Sequence, residues 1–237
     1  MIRRGHEAGL NVVALACDMG NRSMLYEMGF GTQKDNIRFS IPHPADPSKK
    51  PYVVPDCVHV FKSLKEGFCT NKTIILSDEV VNEFKLPSNK VLLSHIQWLE
   101  EYQRGQDLKF VPKLTFKDIQ TSHFSKMKFK SAHTLLSHQT ASSLHYLASK
   151  NIAPEEFETT GWFIKIMNRW REIVTSRCRL HSLNIKRIED YDKKIGHLKL
   201  VVKVFKSMKF GAGWKPVQTH LILATEALIA SQFSMIF

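Results

Sequence analysis

Residues 9–18, Gly-Leu-Asn-Val-Val-Ala-Leu-Ala-Cys-Asp, constrain this chain more than any other stretch. An apolar run of strand length ends in one carboxylate, Asp18, and a short polar turn, Met19-Gly20-Asn21, follows. A continuously apolar strand at 11–18 reads as buried on both faces of a sheet. An acidic residue at the carboxyl end of such a strand sits where α/β sheets place ligand and metal chemistry. The residues alone leave Asp18 open between a metal ligand and a cap for the next helix.

Glycine and proline punctuate what surrounds that strand. Residues 1–10 read as a helix ending at Gly9, so the chain is expected to begin inside an element. A helix over 21–28 is closed by Gly29 and Gly31. Pro42, Pro44, Pro47 and Pro51 then make 40–51 an extended loop. Tyr52-Val53-Val54 begins a strand, and Asp56 is placed to cap a helix over 57–68. Beyond residue 90 the pattern turns helical, over 91–102, 125–147, 158–175, 188–208 and 217–233. Trp162, Ile166, Trp170 and Ile173 recur at helical spacing within the third of these. Breaks are expected at 151–154 and 211–213. The fold class predicted is α+β and predominantly helical: a partial α/β unit over 1–68, then an all-helical body over about 90–237.

Thirty-four Lys and Arg against 22 Asp and Glu give a net charge of +12, which favours polyanionic partners such as nucleic acid, nucleotide phosphates or an anionic surface. The same excess also suits a solvated basic surface. No apolar run approaches the ~20 residues of a membrane helix, and the N-terminal Arg3 and Arg4 are not followed by a leader-type apolar stretch. Cys17, Cys57, Cys69 and Cys178 form no C-x-x-C pair. Cys57 and His59 make a lone C-x-H, which reads as packing and capping, and dispersed thiols of this kind suit a reducing compartment. There is no G-x-x-x-x-G-K-[ST], so nucleotide binding of the P-loop kind is excluded.

Five blocks occur in order along the chain: Cys17-Asp-Met-Gly-Asn-Arg-Ser-Met24; Val54-Pro-Asp-Cys-Val-His-Val-Phe-Lys62; Pro112-Lys-Leu-Thr115 with Lys126-Met-Lys-Phe-Lys-Ser-Ala132 and Leu135-Leu-Ser-His138; Phe163-Ile-Lys-Ile-Met-Asn-Arg-Trp170; and Trp214-Lys-Pro-Val-Gln-Thr219. Together they resemble the P-element transposase family, which includes the THAP-domain transposases of animals. The resemblance covers nearly the whole chain. It implies part of an RNase H-like catalytic domain over 1–68. A helical GTP-binding insertion domain over 69–237 would follow, whose C-terminal end can return to the RNase H-like part.

The resemblance also implies the chemistry. Asp18 aligns with the second acidic residue of a catalytic triad that holds Mg²⁺. The first acidic residue is expected before Met1 and the final Glu beyond Phe237, so the chain on its own is expected to be inactive. Lys113, Phe129 and Ser137 align with GTP-contacting positions. Glu172 falls where relatives carry an Asp that selects guanine, because a carboxylate accepts from the donors N1–H and N2–H₂. Phe129 and Glu172 are departures from the family's usual residues. From the residues alone, Glu172 reads equally as a surface partner of Arg169 or Arg171. Lys126, Lys128 and Lys130 read either as a solvated helix start or as phosphate-neutralising groups. Further implied are DNA as partner (transposon ends), GTP as ligand, homo-oligomers, no membrane and a nuclear location. The alternative reading is a non-catalytic nucleotide- or nucleic-acid-binding helical module, or an inactive transposon remnant.

Overall fold

The computed structural model describes residues 2–18, 20, 22–120, 128–176, 178, 182–184 and 186–234. The chain divides into two compact units. Unit 1 comprises residues 1–60 and 216–237, and unit 2 residues 61–215. The first division therefore falls at 60/61, within a continuous helix, whereas the sequence expectation set it at 68.

In unit 1, helix α1 (Ile2–Glu7) stops as its glycine dictates. Gly9 adopts φ 78° and donates to His6 O, while Leu10 N donates to Gly5 O. This paired closure satisfies two otherwise orphaned carbonyls at a position where a Cβ would be strained. Helix α2 (Arg22–Glu27) ends the same way at Gly29, φ 93°. Strand β1 (Ala14–Cys17) runs parallel to β4 (Tyr52–Pro55), in register from Ala14 opposite Tyr52 to Cys17 opposite Pro55. A hairpin of β2 (Gly31–Gln33) and β3 (Asn36–Arg38) lies between them in sequence. The last helix, designated α11 (Pro216–Ser234), packs on β4, β2 and β3. Leu25, Phe30, Ile41, Val53 and Leu223 form the core, with Leu15, Cys17, Met28, Ile37 and Phe39 against it.

The expectation of a two-faced buried strand at 11–18 is corrected here. The strand is four residues long, and its side chains alternate between exposed and half-buried. Val13, just before it, is 57% exposed. Leu15 and Cys17 reach the core, while Ala14 and Ala16 face outward. Alanine adds apolar character to a run without needing burial, so a continuous run overstated how much of this strand is covered.

Unit 2 receives the chain from α3 (Cys57–Asn71), whose first turn is capped by Asp56 Oδ1 accepting from Val58 N at 2.9 Å. Strands β5 (Thr73–Ile75), β6 (Lys90–Leu92) and β7 (Lys209–Phe210) form an antiparallel sheet in the order β6-β5-β7. The all-helical body expected over 90–237 thus carries two short strands. Strands of two or three residues hold too few side chains to show an alternation. The helices are α4 (Asp78–Phe84), α5 (Leu93–Arg104), α6 (Phe116–Ile119), α7 (Phe129–Leu135), α8 (His138–Ser149), α9 (Phe157–Val174) and α10 (Ile188–Ser207). Helix α9 is central. It packs on α8, α10 and β6, and buries Phe163, Ile164, Ile166, Met167 and Trp170.

The single helix expected over 125–147 is corrected to α7 and α8, broken at Leu136–Ser137. Ser137 is extended and caps α8, so the side chain that favours a helix start also ends the run before it. Lys126 and Met127 lie outside the described residues.

Candidate nucleotide-binding site

The residues expected from the sequence to contact a nucleotide all lie in unit 2, and three local devices hold them. The first is a turn. Val111 O accepts from Leu114 N at 3.0 Å, with Pro112 and Lys113 between them. Proline pre-sets the backbone of such a turn. The buried side chain of Gln103 pins it from α5: Oε1 accepts from Val111 N at 2.9 Å, and Nε2 donates to Val111 O at 3.1 Å and Leu114 O at 3.4 Å. Lys113 is exposed at the tip of this fixed turn.

The second device is a row of rings. Trp170 is fully buried and stacks on Phe61 at 6.5 Å between centroids. Phe61 meets Phe129 at 6.0 Å, and Phe129 meets His133 at 6.1 Å. The row leads from the core of α9 to the exposed face of α7. Phe129 is thereby half-buried structure as much as surface. Just after α7, Ser137 Oγ accepts from Thr140 N at 3.1 Å and lies 3.0 Å from Thr140 Oγ1. Thr140 Oγ1 itself donates to Thr134 O at 2.9 Å. The Ser137 hydroxyl proton is therefore directed to Thr140, which leaves one acceptor lone pair.

The third device is the C-terminal part of α9. Asn168, Arg171 and Glu172 stand at i, i+3 and i+4 and so share a face. Asn168 is buried; its Nδ2 donates to Glu172 Oε1 at 2.8 Å and its Oδ1 accepts from Arg171 Nη2 at 3.1 Å. Arg171 Nη2 is also 3.7 Å from Glu172 Oε1, and Arg169 Nη1 is 3.5 Å from Glu172 Oε2. Glu172 is thus paired with both arginines. Arg171 Nε is buried and finds no hydrogen-bond partner among the described residues. Burial pushes the Arg171 guanidinium below its ordinary pKa, against the pull of Glu172.

His133 ties these devices together. Burial, then the positive charges of Arg171 and Lys113, hold its imidazole below the ordinary 6.5, while Glu172 pulls the other way. The ring row seats α7 beside α9, and the charges of Lys113, Arg171 and Glu172 are felt at His133. His197 on α10 borders α9: its Nε2–H donates to Ile166 O at 2.9 Å, and its pKa is lowered chiefly by burial and further by Arg169. Lys113, Arg169 and Arg171 are cationic here, while Glu172 pairs with both arginines and Asp190 also feels the charge of Arg169.

Gln103 and His133 were not singled out by the sequence, whereas the pairing of Glu172 with Arg169 or Arg171 was read there and both pairs form. The N-x-x-R-E spacing was visible, but it is also the spacing of any solvated helix face.

Asp18 lies apart from these residues in the chain, within unit 1. It is exposed, and its Oδ1 accepts from Gly20 N at 2.8 Å. Asp56 ends the adjacent parallel strand, its N–H donating to Cys17 O at 2.7 Å, and its carboxylate is used as the α3 cap. Among the described residues no group of three or more His, Cys, Asp or Glu is placed to hold a metal ion. Asp18 alone does not make a two-metal centre, and no catalytic step follows from it. No helix among the described residues is long and apolar enough to cross a membrane.

Comparison with known proteins gives three concordant findings. The family described as TNP-like, GTP-binding insertion domain matches residues 59–207. The Transposable element P transposase of Drosophila melanogaster is 28% identical over 179 residues, covering 75% of this chain and 22% of that protein. The solved Drosophila P element transposase strand transfer complex shares the fold with a TM-score of 0.80 at 22% identity, over 99% of this chain and 51% of that one. The chain thus spans about a fifth of the curated relative's length.

Proposed function

This chain belongs to the TNP-like, GTP-binding insertion domain family, and from that membership we propose a guanine-nucleotide site on unit 2. The chain is P-element-transposase-like. The observation that carries the reading is the hydrogen-bonded set of Asn168, Arg171 and Glu172 on α9, with the ring row from Trp170 through Phe61 to Phe129 and His133 of α7 beside it. Lys113, on a turn braced by Gln103, would meet the phosphates. Glu172, held by Asn168, would accept from N1–H and N2–H₂ of the base. Phe129 would bound the site, and Ser137 keeps one lone pair for the ligand. The donor set fits a nucleoside triphosphate: cations for the phosphates, and one oriented carboxylate for the base.

Calorimetric titration of the whole chain with GTP and ATP tests this. GTP is expected to bind more tightly, because adenine presents an acceptor where guanine presents N1–H. Lys113→Ala should weaken both nucleotides, and Glu172→Gln should weaken GTP and narrow the gap. Equal affinities unchanged by Glu172→Gln would reject the site.

The wider reading is that this chain is part of a protein acting in DNA transposition in the nucleus, with transposon DNA as partner, self-assembly into homo-oligomers, and Mg²⁺-dependent strand chemistry to which Asp18 contributes one ligand. Its support is the likeness to the P transposase and the +12 charge. Within this chain, lysines rather than base-reading motifs dominate. DNA binding is therefore expected to tolerate sequence changes and to fall steeply with salt. A fluorescently labelled duplex titrated at rising ionic strength checks this, and tight binding to one sequence that persists in high salt would refute it.

A further inference from the structure

His133 has no part in the scheme above, yet it stands among its residues with both ring nitrogens uncommitted. We propose that His133 is a further phosphate-binding residue of the nucleotide site, one that takes up a proton when a nucleoside triphosphate binds. The inference rests on the guanine-nucleotide site proposed on unit 2.

The chain fixes the backbone at 133 and leaves the side chain outside. Ser131, Ala132 and Thr134 around it are buried. The Thr134 carbonyl accepts from Thr140 Oγ1 at 2.9 Å. His133 itself is exposed. Its ring lies 6.1 Å from Phe129, tilted 38° to it, at the outer end of the row that begins at Trp170. Neither ring nitrogen has a hydrogen-bond partner among the described residues. The neighbouring His197 differs, because its Nε2–H is spent on Ile166 O. An exposed imidazole with two unspent nitrogens on a pinned turn is placed to serve a ligand.

The charges felt at this ring are the cations Arg171 and Lys113, opposed by Glu172. Its field is set by these three and not by Lys62, Lys65 or Glu66 of α3, Lys117 or Asp118 of α6, or Lys130 of its own helix. Burial and the two cations hold the imidazole below its ordinary 6.5, so it is uncharged at neutral pH. A triphosphate placed against Lys113 brings several negative charges into the same space. It cancels the repulsion that keeps the ring neutral and raises the pKa of the imidazole. The protonated ring offers two N–H donors to phosphate oxygens, where the neutral ring offers one. The proton comes from solvent, and no other bond is made or broken. Between the ring's free and bound pKa values, affinity therefore rises as pH falls, by at most about tenfold per pH unit for one proton.

Calorimetric titration of the whole chain with GTP, in two buffers of different ionisation enthalpy, counts the protons exchanged. The same count is made on His133→Gln, His133→Arg and Glu172→Gln. The terminal phosphate of GTP titrates in this range too, equally for every variant, so the quantity read is the difference from the unaltered chain. The unaltered chain is expected to take up more protons than His133→Gln. Its advantage in GTP affinity over that variant should grow as pH is lowered, reaching about tenfold, the scale of one charge-assisted hydrogen bond. His133→Arg places a fixed cation on the same turn and should bind GTP more tightly than His133→Gln without the extra uptake, which a merely structural role would not reproduce. Equal proton uptake in the unaltered chain and His133→Gln, or an arginine variant no better than the glutamine one, overturns this inference; if Glu172→Gln still weakens GTP, the site stands. No GTP binding by the unaltered chain, or no response to Glu172→Gln, overturns the site itself and this inference with it.

Discussion

In unit 2, helix α9 carries its instructions within itself: Phe163, Ile166, Met167 and Trp170 recur on a buried stripe, and α8 and α10, themselves amphipathic, pack against it. In unit 1, the corresponding central contact joins residues far apart in the chain. β1 pairs in parallel with β4 across more than thirty intervening residues, and Leu223 of α11 enters a core begun by Leu25 and Phe30. Helix α11 also lacks a polar stripe near its start. Leu221, Ile222, Leu223, Ala224 and Thr225 are all buried. A helix apolar on every side announces burial but not the face that meets its partner. Periodicity thus specifies unit 2 largely through neighbours in sequence, whereas unit 1 depends on pairings that periodicity does not name.

Two substitutions probe that contrast, and they carry the largest expected effects. Trp170 is fully buried and ends the ring row through Phe61 and Phe129. Trp170→Ala should cost about 3–5 kcal/mol, with loss of helical signal on chemical denaturation at a lower midpoint. In unit 1 the vulnerable point is a close approach. A Cβ on Gly31 would sit 2.2 Å from Asn36 O and 2.6 Å from Arg38 N across the β2–β3 hairpin. Gly31→Ala should cost about 1–3 kcal/mol by overpacking, with little change in helical content per folded molecule. If Gly31→Ala costs more than Trp170→Ala, the hairpin and not the helical stripe is the more demanding element, and the contrast fails.

The same contrast explains what could be read in advance. Helices α3, α9 and α10 were legible to within a few residues because each has a long apolar stripe, and Gly9 and Gly29 marked their helix ends through a backbone only glycine adopts easily. The sheet β6-β5-β7 was not legible, since its strands are two or three residues long and are defined by pairing. The outward-facing side of β1 was hidden by alanines that count as apolar. At the site, Lys113, Phe129, Ser137 and Glu172 were reached through resemblance to a family. The pairing of Glu172 with Arg169 or Arg171 was read from spacing, but Gln103 and the hydrogen bonds of Asn168 were out of reach because their roles are bonds to a turn and to neighbouring side chains. Such roles depend on which way a side chain points, and composition and spacing do not carry that.

The smallest expected effect is the most local one. Ser137, Thr140 and Thr134 form a closed set within seven residues: Ser137 Oγ accepts from Thr140 N, and Thr140 Oγ1 donates to Thr134 O. Ser137→Ala leaves the Thr140 N–H of α8's first turn without its acceptor and removes the donor aimed at Thr140 Oγ1. The cost should be about 1 kcal/mol, the scale of a lost N-cap. It should appear as a shift in denaturation midpoint with an unchanged slope, because the surface exposed on unfolding does not change. The ligand should register the loss only weakly. The hydroxyl proton is already directed to Thr140, so a nucleotide can use no more than the remaining lone pair. GTP affinity should fall by about threefold or less, as for one neutral hydrogen bond at the low end of its range. Both quantities come from one protein preparation, by denaturation and by calorimetry. A large loss of GTP affinity with no loss of stability would reverse the assignment, making Ser137 a ligand contact first and a cap second. It would also show that a turn set by three neighbouring residues is held open for something outside the chain.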